Sequence, residues 1–212
     1  MPIGFSGQAG PAGPAGPVGP PGPPGGGVAY TRWGKATCPN ITGTQLVYAG
    51  RAAGSHYTHK GGGANYICLT NTPNYLAPPS GSQVWQALLY GVEYETGNSG
   101  GYTALGPLSA VHQHNVPCAV CYASTRGTSI MIPGQTRCPA SWTLEYYGYL
   151  MAQHHGFYRS MHECVDANPD SVPGSSANIE GALFYHVRAE CTGIPCPPYQ
   201  SRREVTCAVC TK

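Results

Sequence analysis

The sequence predicts an all-β head, stabilised by disulfides and built from two tandem homologous β subdomains. The head is preceded by a short triple-helical stalk. Three observations predict this. Glycine recurs at every third position from Gly4 to Gly25. Ten cysteines, an even number, are spread through the rest of the chain. That remainder reads as two copies of one unit of roughly 90 residues, too long a period for a solenoid.

Composition narrows the function. Only 11 Lys+Arg and 9 Asp+Glu occur in 212 residues, and the net charge is +2. Nothing there favours nucleic acid or an anionic membrane surface. No apolar run approaches the ~20 residues of a membrane span, so no membrane insertion is expected. The first residues lack the basic start and apolar core of a signal peptide. The chain is therefore read as a fragment or as one whose signal has been removed.

Residues 1–27 carry 10 Gly and 8 Pro and no charge. Their triplets read GFS, GQA, GPA, GPA, GPV, GPP and GPP. This is the collagen signature: three polyproline-II-like chains wind together, and only Gly fits at the crowded axis. A Gly/Pro linker would show no such period. Seven triplets extend roughly 65 Å at ~3.1 Å per residue, too short to expect a stable triple helix alone. Something else must hold three chains together. The imino-rich GPP units abut the head, so winding is expected to start there and zip toward the N-terminus. Pro21 and Pro24 occupy Y positions, where hydroxyproline is common. A stalk without charge specifies no unlike partner, and a homotrimer is the simplest reading. Gly25 to Gly27 form a flexible joint.

The head divides at about 28–127 and 128–212. SGSQVWQALLYGVEYE at 80–95 matches SSANIEGALFYHVRAE at 175–190 in 6 of 16 positions without a gap. NVPCAVCY at 115–122 matches EVTCAVCT at 204–211, and TCPNITGTQLVYAG at 37–50 matches RCPASWTLEYYGYL at 137–150. Strands are expected at ALLYGVEYE, ALFYHVRAE, QLVYAG, TSIMIP and EVTCAVC. All are rich in Val, Tyr, Leu or Ile and bounded by turn residues. SWTLEYYGYLMAQHH has a spacing that suits a helix, but its copy does not, so both are read as strands. The loops are long and glycine-rich.

Four cysteines recur between the copies: Cys38 with Cys138, Cys68 with Cys164, Cys118 with Cys207 and Cys121 with Cys210. Cys191 and Cys196 occur only in the second copy. A stalk of collagen type places them in an oxidising compartment, as a disulfide framework. A redox role for the two Cys-Ala-Val-Cys motifs lacks a thioredoxin-like context. Zinc is disfavoured because the motifs lie 89 residues apart, far from the ~15–20 of a zinc ribbon. Cys191 and Cys196 most simply pair with each other. Two bridges per copy are left, with partners that spacing does not settle.

Each copy opens on Cys-Pro, carries a mid-copy cysteine (YICL at 66–69, HECV at 162–165) and closes on Cys-x-Val-Cys. In this the head resembles the C-terminal non-collagenous domain of type IV, basement-membrane, collagens. The whole architecture is similar to the short-chain, spongin-type collagens of invertebrates, with GGGANYICL, HQHNVPCAVCY and EYYGYLM typical of that group. The resemblance implies Cys38–Cys121, Cys68–Cys118, Cys138–Cys210 and Cys164–Cys207 bridges. The chain departs from the type IV pattern in two ways. The family's extra bridge is missing from copy one and lies later in copy two. The Met and Lys that join opposing trimers covalently have no clear equivalents. A covalent head-to-head hexamer is therefore not expected, and a non-covalent one stays open.

Other residues were weighed for chemistry. Eight histidines occur, at 56, 59, 112, 114, 154, 155, 162 and 186. His112 and His114 would share one face of a strand, a plausible ligand pair. No carboxylate sits at motif spacing, so surface or interface histidines are the favoured reading and no metal or other cofactor is expected. Glu93 and Glu95 read as solvated strand residues. No nucleophile elbow, phosphate loop or HExxH motif is present, and no enzymatic activity is expected. Asn40-Ile41-Thr42 is an N-glycosylation sequon. Tyrosines in 80–95 and 175–190, with Tyr146, Tyr147 and Tyr149, are candidates for subunit contacts. Trp33, Trp85 and Trp142 read as core.

The function expected from these features is that of a secreted, structural protein of the extracellular matrix. Its head trimerises three copies of the chain and nucleates their triple helix. Other matrix proteins or glycans are further candidate partners. The competing expectation is a trimeric, collagen-stalked recognition protein that binds glycans or surface ligands with avidity.

Overall fold

The structure is a computed structural model that describes residues 26–76, 86–97 and 106–212. The Gly-X-Y triplets, with Pro21 and Pro24, and residues 77–85, with Trp85, lie outside the described residues.

The described residues form ten strands and no α-helix. The first five are β1 (Val28–Trp33), β2 (Thr44–Gly54), β3 (Ile67–Thr70), β4 (Tyr90–Tyr94) and β5 (Pro117–Ala123). The second five are β6 (Ser129–Pro133), β7 (Thr143–Ala152), β8 (Glu163–Asp166), β9 (Ala182–His186) and β10 (Thr206–Thr211). A short 3-10 helix, Gly106–Val111, precedes β5. Residues 143–152 are a strand despite their helix-like spacing. Their Thr and Tyr side chains favour a pleated surface, and β7 pairs with β8, β9 and β10. Gly148 makes the β8 pairing close. A Cβ there would stand 1.8 Å from the Val165 carbonyl oxygen. Gly50 in β2 stands in the same relation to Leu69. Strands β1, β3 and β8 and the 3-10 helix were not expected from the sequence, although β3 and β8 carry the mid-copy cysteines Cys68 and Cys164.

The ladders of the two halves follow one plan. In the first half β5 pairs with β1 and β2, and β2 also pairs with β3 and β4. In the second half β10 pairs with β6 and β7, and β7 also pairs with β8 and β9. Each long strand carries one bulge at the same place. Val47 is skipped between Leu46 and Tyr48, and Glu145 between Leu144 and Tyr146.

Two parallel contacts join the halves: β1 with β8 at Trp33 and Val165, and β4 with β9 over Val92–Tyr94 and Ala182–Phe184. The pairing β7–β8–β1–β5–β2–β4–β9 then returns to β7. Closure removes the free edges of those seven strands, which would otherwise offer unpaired N–H and C=O groups. Among the described strands, only β3 and β6 pair with a single neighbour.

The halves do not have separate cores. One buried cluster combines Trp33, Val92, Tyr94 and Leu108 with Met151, Val165 and Phe184. A second combines Tyr30, Ala119 and Cys121 with Tyr146, Leu150, Cys207 and Val209. Trp33 is core, whereas Trp142 is only half-buried.

Five disulfides cross this framework: Cys38–Cys121, Cys68–Cys118, Cys138–Cys210, Cys164–Cys207 and Cys191–Cys196. These are the pairs named above. Among the described residues, no helix is long and apolar enough to cross a membrane.

Two readings of charged residues are corrected. Glu93 is buried, not solvated. Its carboxylate accepts hydrogen bonds from the Ile179 and Glu180 N–H groups at 2.8 and 3.1 Å, holding a second-half loop on β4. Glu95 is half-buried, and burial raises its pKa despite His112 at 4.0 Å. His112 and His114 do not share a strand face. They flank a turn in which Gln113 has φ 60°, so the two side chains are not in the alternating register of a strand.

Candidate docking surface

The ladder registers equate positions between the halves. Cys118 corresponds to Cys207, Gly50 to Gly148 and Tyr90 to Tyr185. A surface in one half can therefore be compared with its counterpart in the other.

Within the chain, the first half offers β1 and residues 92–94, and the second half offers β8 and residues 182–184. Polar side chains line much of this junction. Arg32 donates to Asp166 through Nε and Nη2 at 2.9 and 2.7 Å. The Trp33 indole donates to Glu163 at 2.9 Å. Burial raises the Glu163 pKa against that hydrogen bond. Lys35 pairs with Asp170 at 2.7 Å. The Glu145 carboxylate is fully enclosed. It accepts from the Tyr30 and Thr211 hydroxyls, both at 2.6 Å, and pairs with Arg126 at 3.1 Å. Arg126 also donates to Thr44. A buried carboxylate is tolerated here because its lone pairs are satisfied by several donors.

Several counterparts of these elements are exposed, although Val187 and Arg188 are half-buried and Ala189 is buried. Residues 87–89 correspond to 182–184, β3 to β8, β6 to β1, and residues 187–189 to 92–94. Leu183 and Phe184 are 2% and 0% exposed, while their counterparts Leu88 and Leu89 are 41% and 51% exposed. Val165 is fully buried, and its counterpart Leu69 is 41% exposed. Val47 replaces the buried Glu145, and Ile130 replaces Tyr30, and both are exposed. The open surfaces are thus more apolar than the closed junction.

One hydroxyl marks the difference at atomic scale. Tyr146 donates to Cys164 O within its half at 2.8 Å and reaches Thr31 O of the other half at 3.0 Å. Tyr48, its counterpart, makes the first contact, to Cys68 O at 3.0 Å. The position matching Thr31 across an open junction is Met131 of β6.

The residues singled out from sequence distribute unevenly over this surface. The stretch 80–95 contributes Leu88 and Leu89, and Tyr147 is exposed. Tyr146 is core, and Tyr149 packs edge-on against His186 at 5.4 Å. Asn40 is exposed beside Cys38. Among the described residues, no group of three His, Cys, Asp or Glu side chains is placed to hold a metal ion. The sequence reading missed Val47, Leu69, Ile130, Tyr30 and Glu145. A signal was available in the pairing of the copies: Glu145 is polar where its counterpart Val47 is apolar.

No family model matches the chain.

Proposed function

We propose that the protein is an extracellular structural collagen-like protein whose head binds two further copies of itself. The two halves are taken as copies of one unit. The face of one chain's second half that carries β6 docks on the open face of the next chain's first half, β3 with residues 87–89. The carrying observation is that these faces are the counterparts of two surfaces that bury each other within the chain. Both junctions run in the same sense, so the contact is head-to-tail and closes into a ring when the rotation allows. Three chains bring six half-units, and three is the number the Gly-X-Y triplets require. Burying the exposed part of each such Leu or Ile side chain adds about 1 kcal/mol. Holding three stalks together raises their effective concentration and supports winding. Disulfides throughout the head suit an oxidising, extracellular setting. This role is assembly rather than catalysis.

Light scattering on residues 28–212, which contain all ten cysteines and both buried clusters, tests it. A mass three times that of the chain supports the reading, and a sixfold mass adds head-to-head pairing of trimers. Leu89→Asp should leave a folded monomer. A wild-type monomer at micromolar concentration would sink the proposal.

A further inference from the structure

A second feature lies away from the open faces, between two loops of one chain. Loop 55–66 of the first half meets loop 153–161 of the second. Their backbones are tied by Tyr158 N–H to Tyr57 O at 3.3 Å and Met161 N–H to Ala64 O at 2.7 Å. Tyr66 is buried beneath them. Its hydroxyl reaches Ser160 Oγ at 3.0 Å and donates to Leu183 O at 2.9 Å. Together they enclose a cleft of about 510 Å³. That volume falls in the range of roughly 300–1,000 Å³ typical of ligand sites.

The lining has an unusual charge balance for so neutral a chain. Lys60 and Arg159 both line the cleft. Neither has an ion-pair or hydrogen-bond partner among the described residues. No Asp or Glu lines it among the described residues. By contrast, Arg32, Lys35, Arg126 and Arg188 each meet a carboxylate. The Gln153 side-chain oxygen, on the same wall, is buried without a hydrogen-bond partner. Phe157 and Tyr158 add aromatic surface, and Asn65 adds an amide.

We propose that this cleft binds an acidic saccharide, a sugar chain bearing sulfate or carboxylate groups. Each part of the lining matches one part of such a ligand. The Arg159 guanidinium is a planar fork suited to the paired oxygens of a sulfate or carboxylate, and Lys60 is a second point charge. The apolar C–H face of a pyranose ring packs on the exposed Tyr158 ring. A free inorganic anion would use the cations and leave the aromatic wall unused. All these residues belong to one chain, so the site does not rest on trimer assembly.

Isothermal titration of the full chain with a heparin-derived hexasaccharide tests the proposal. Neutral maltohexaose and sodium sulfate serve as comparison ligands. Saturable binding of the hexasaccharide is expected, with maltohexaose and sulfate alone at least about tenfold weaker. A lost charge-assisted hydrogen bond corresponds to about tenfold or more in affinity. Lys60→Gln with Arg159→Gln should therefore weaken the hexasaccharide by at least that factor. Arg137→Gln, an exposed cation elsewhere, should leave affinity unchanged. Tyr158→Ala, which keeps every charge, should also weaken binding. Circular dichroism melts of each variant identify any that is unfolded. The proposal is overturned by absent or non-saturable binding, by equal losses in Arg137→Gln, or by an undiminished affinity in Tyr158→Ala. Sulfate binding as tight as the hexasaccharide would also overturn it, by reducing the cleft to an anion site.

Discussion

Glu145 and Val47 occupy the same bulge in the two halves and meet opposite fates. Glu145 is enclosed by Tyr30, Thr211 and Arg126, while Val47 stands 58% exposed. A bulge projects one residue out of the ladder, and its chemistry then depends on what lies opposite. His186 shows the same dependence. It lies on β9 against Tyr149, and its Nε2 has no hydrogen-bond partner among the described residues. Burial lowers its pKa below 6.5, with Arg188 adding to the effect and Glu204 opposing it. The unfolded chain therefore binds this proton more tightly than the folded one. Stability from the neutral ring is complete above the unfolded value and is lost as pH falls through the lower folded value. We expect the melting temperature to fall as a buffer is taken from about pH 7.5 to 5.5. The fall should be shallower in His186→Phe, which keeps an aromatic ring against Tyr149. Parallel pH profiles for the two proteins would exclude this account.

Elements are held by covalent links of very different reach. Cys38–Cys121 spans 83 residues and Cys191–Cys196 spans 5. In the chain-entropy view, closing the long loop stabilises by about 4–5 kcal/mol and the short one by about 2 kcal/mol. Replacing Cys38 and Cys121 by Ser should thus lower the unfolding free energy by about twice as much as replacing Cys191 and Cys196. Cys121 is also fully buried, which adds packing loss to the first variant. Denaturant melts of the two double variants read the ratio. A larger loss from the short bridge would mean that it anchors more than its own turn. At this scale the sequence was informative. Nine of the strands fall on stretches that read as extended or on the repeated cysteine sites, because Val, Ile, Tyr and Thr mark a pleated, half-buried surface. Strand β1 was missed although four of the six residues of VAYTRW favour strands; its neighbours, β5 and β8, lie 85 or more residues away, so no local pairing marks it. The histidine pair at 112 and 114 was misplaced for a related reason. A left-handed residue between them, Gln113, breaks the strand register, and alternation in sequence does not reveal it.

For the whole molecule, the closed circuit of seven strands leaves β3 and β6 as the described strands with one neighbour each. Exposed strands with apolar side chains are a liability for an isolated chain and an interface for an assembled one. An obligate assembly has a melting temperature that depends on concentration, because dissociation accompanies unfolding. We expect the melting temperature of the head to rise across a hundredfold range of concentration, and that of Leu89→Asp to stay constant. A concentration-independent wild type would argue for a head that is complete as a monomer.

The sequence by itself determined the period of the Gly-X-Y triplets, the strand-rich character of the rest of the chain and the sites of its cysteines. Each of these is a local property: glycine spacing, side-chain type, or a motif repeated at a fixed interval. Only the tertiary structure decided which edges of the two similar halves are buried and which are open. Leu88 and Leu183 are the same residue in matching contexts, yet one is exposed and the other buried. The reason is connectivity. A single chain joins its two halves through only one pair of these faces, so one face of each matched pair is buried and the other is exposed.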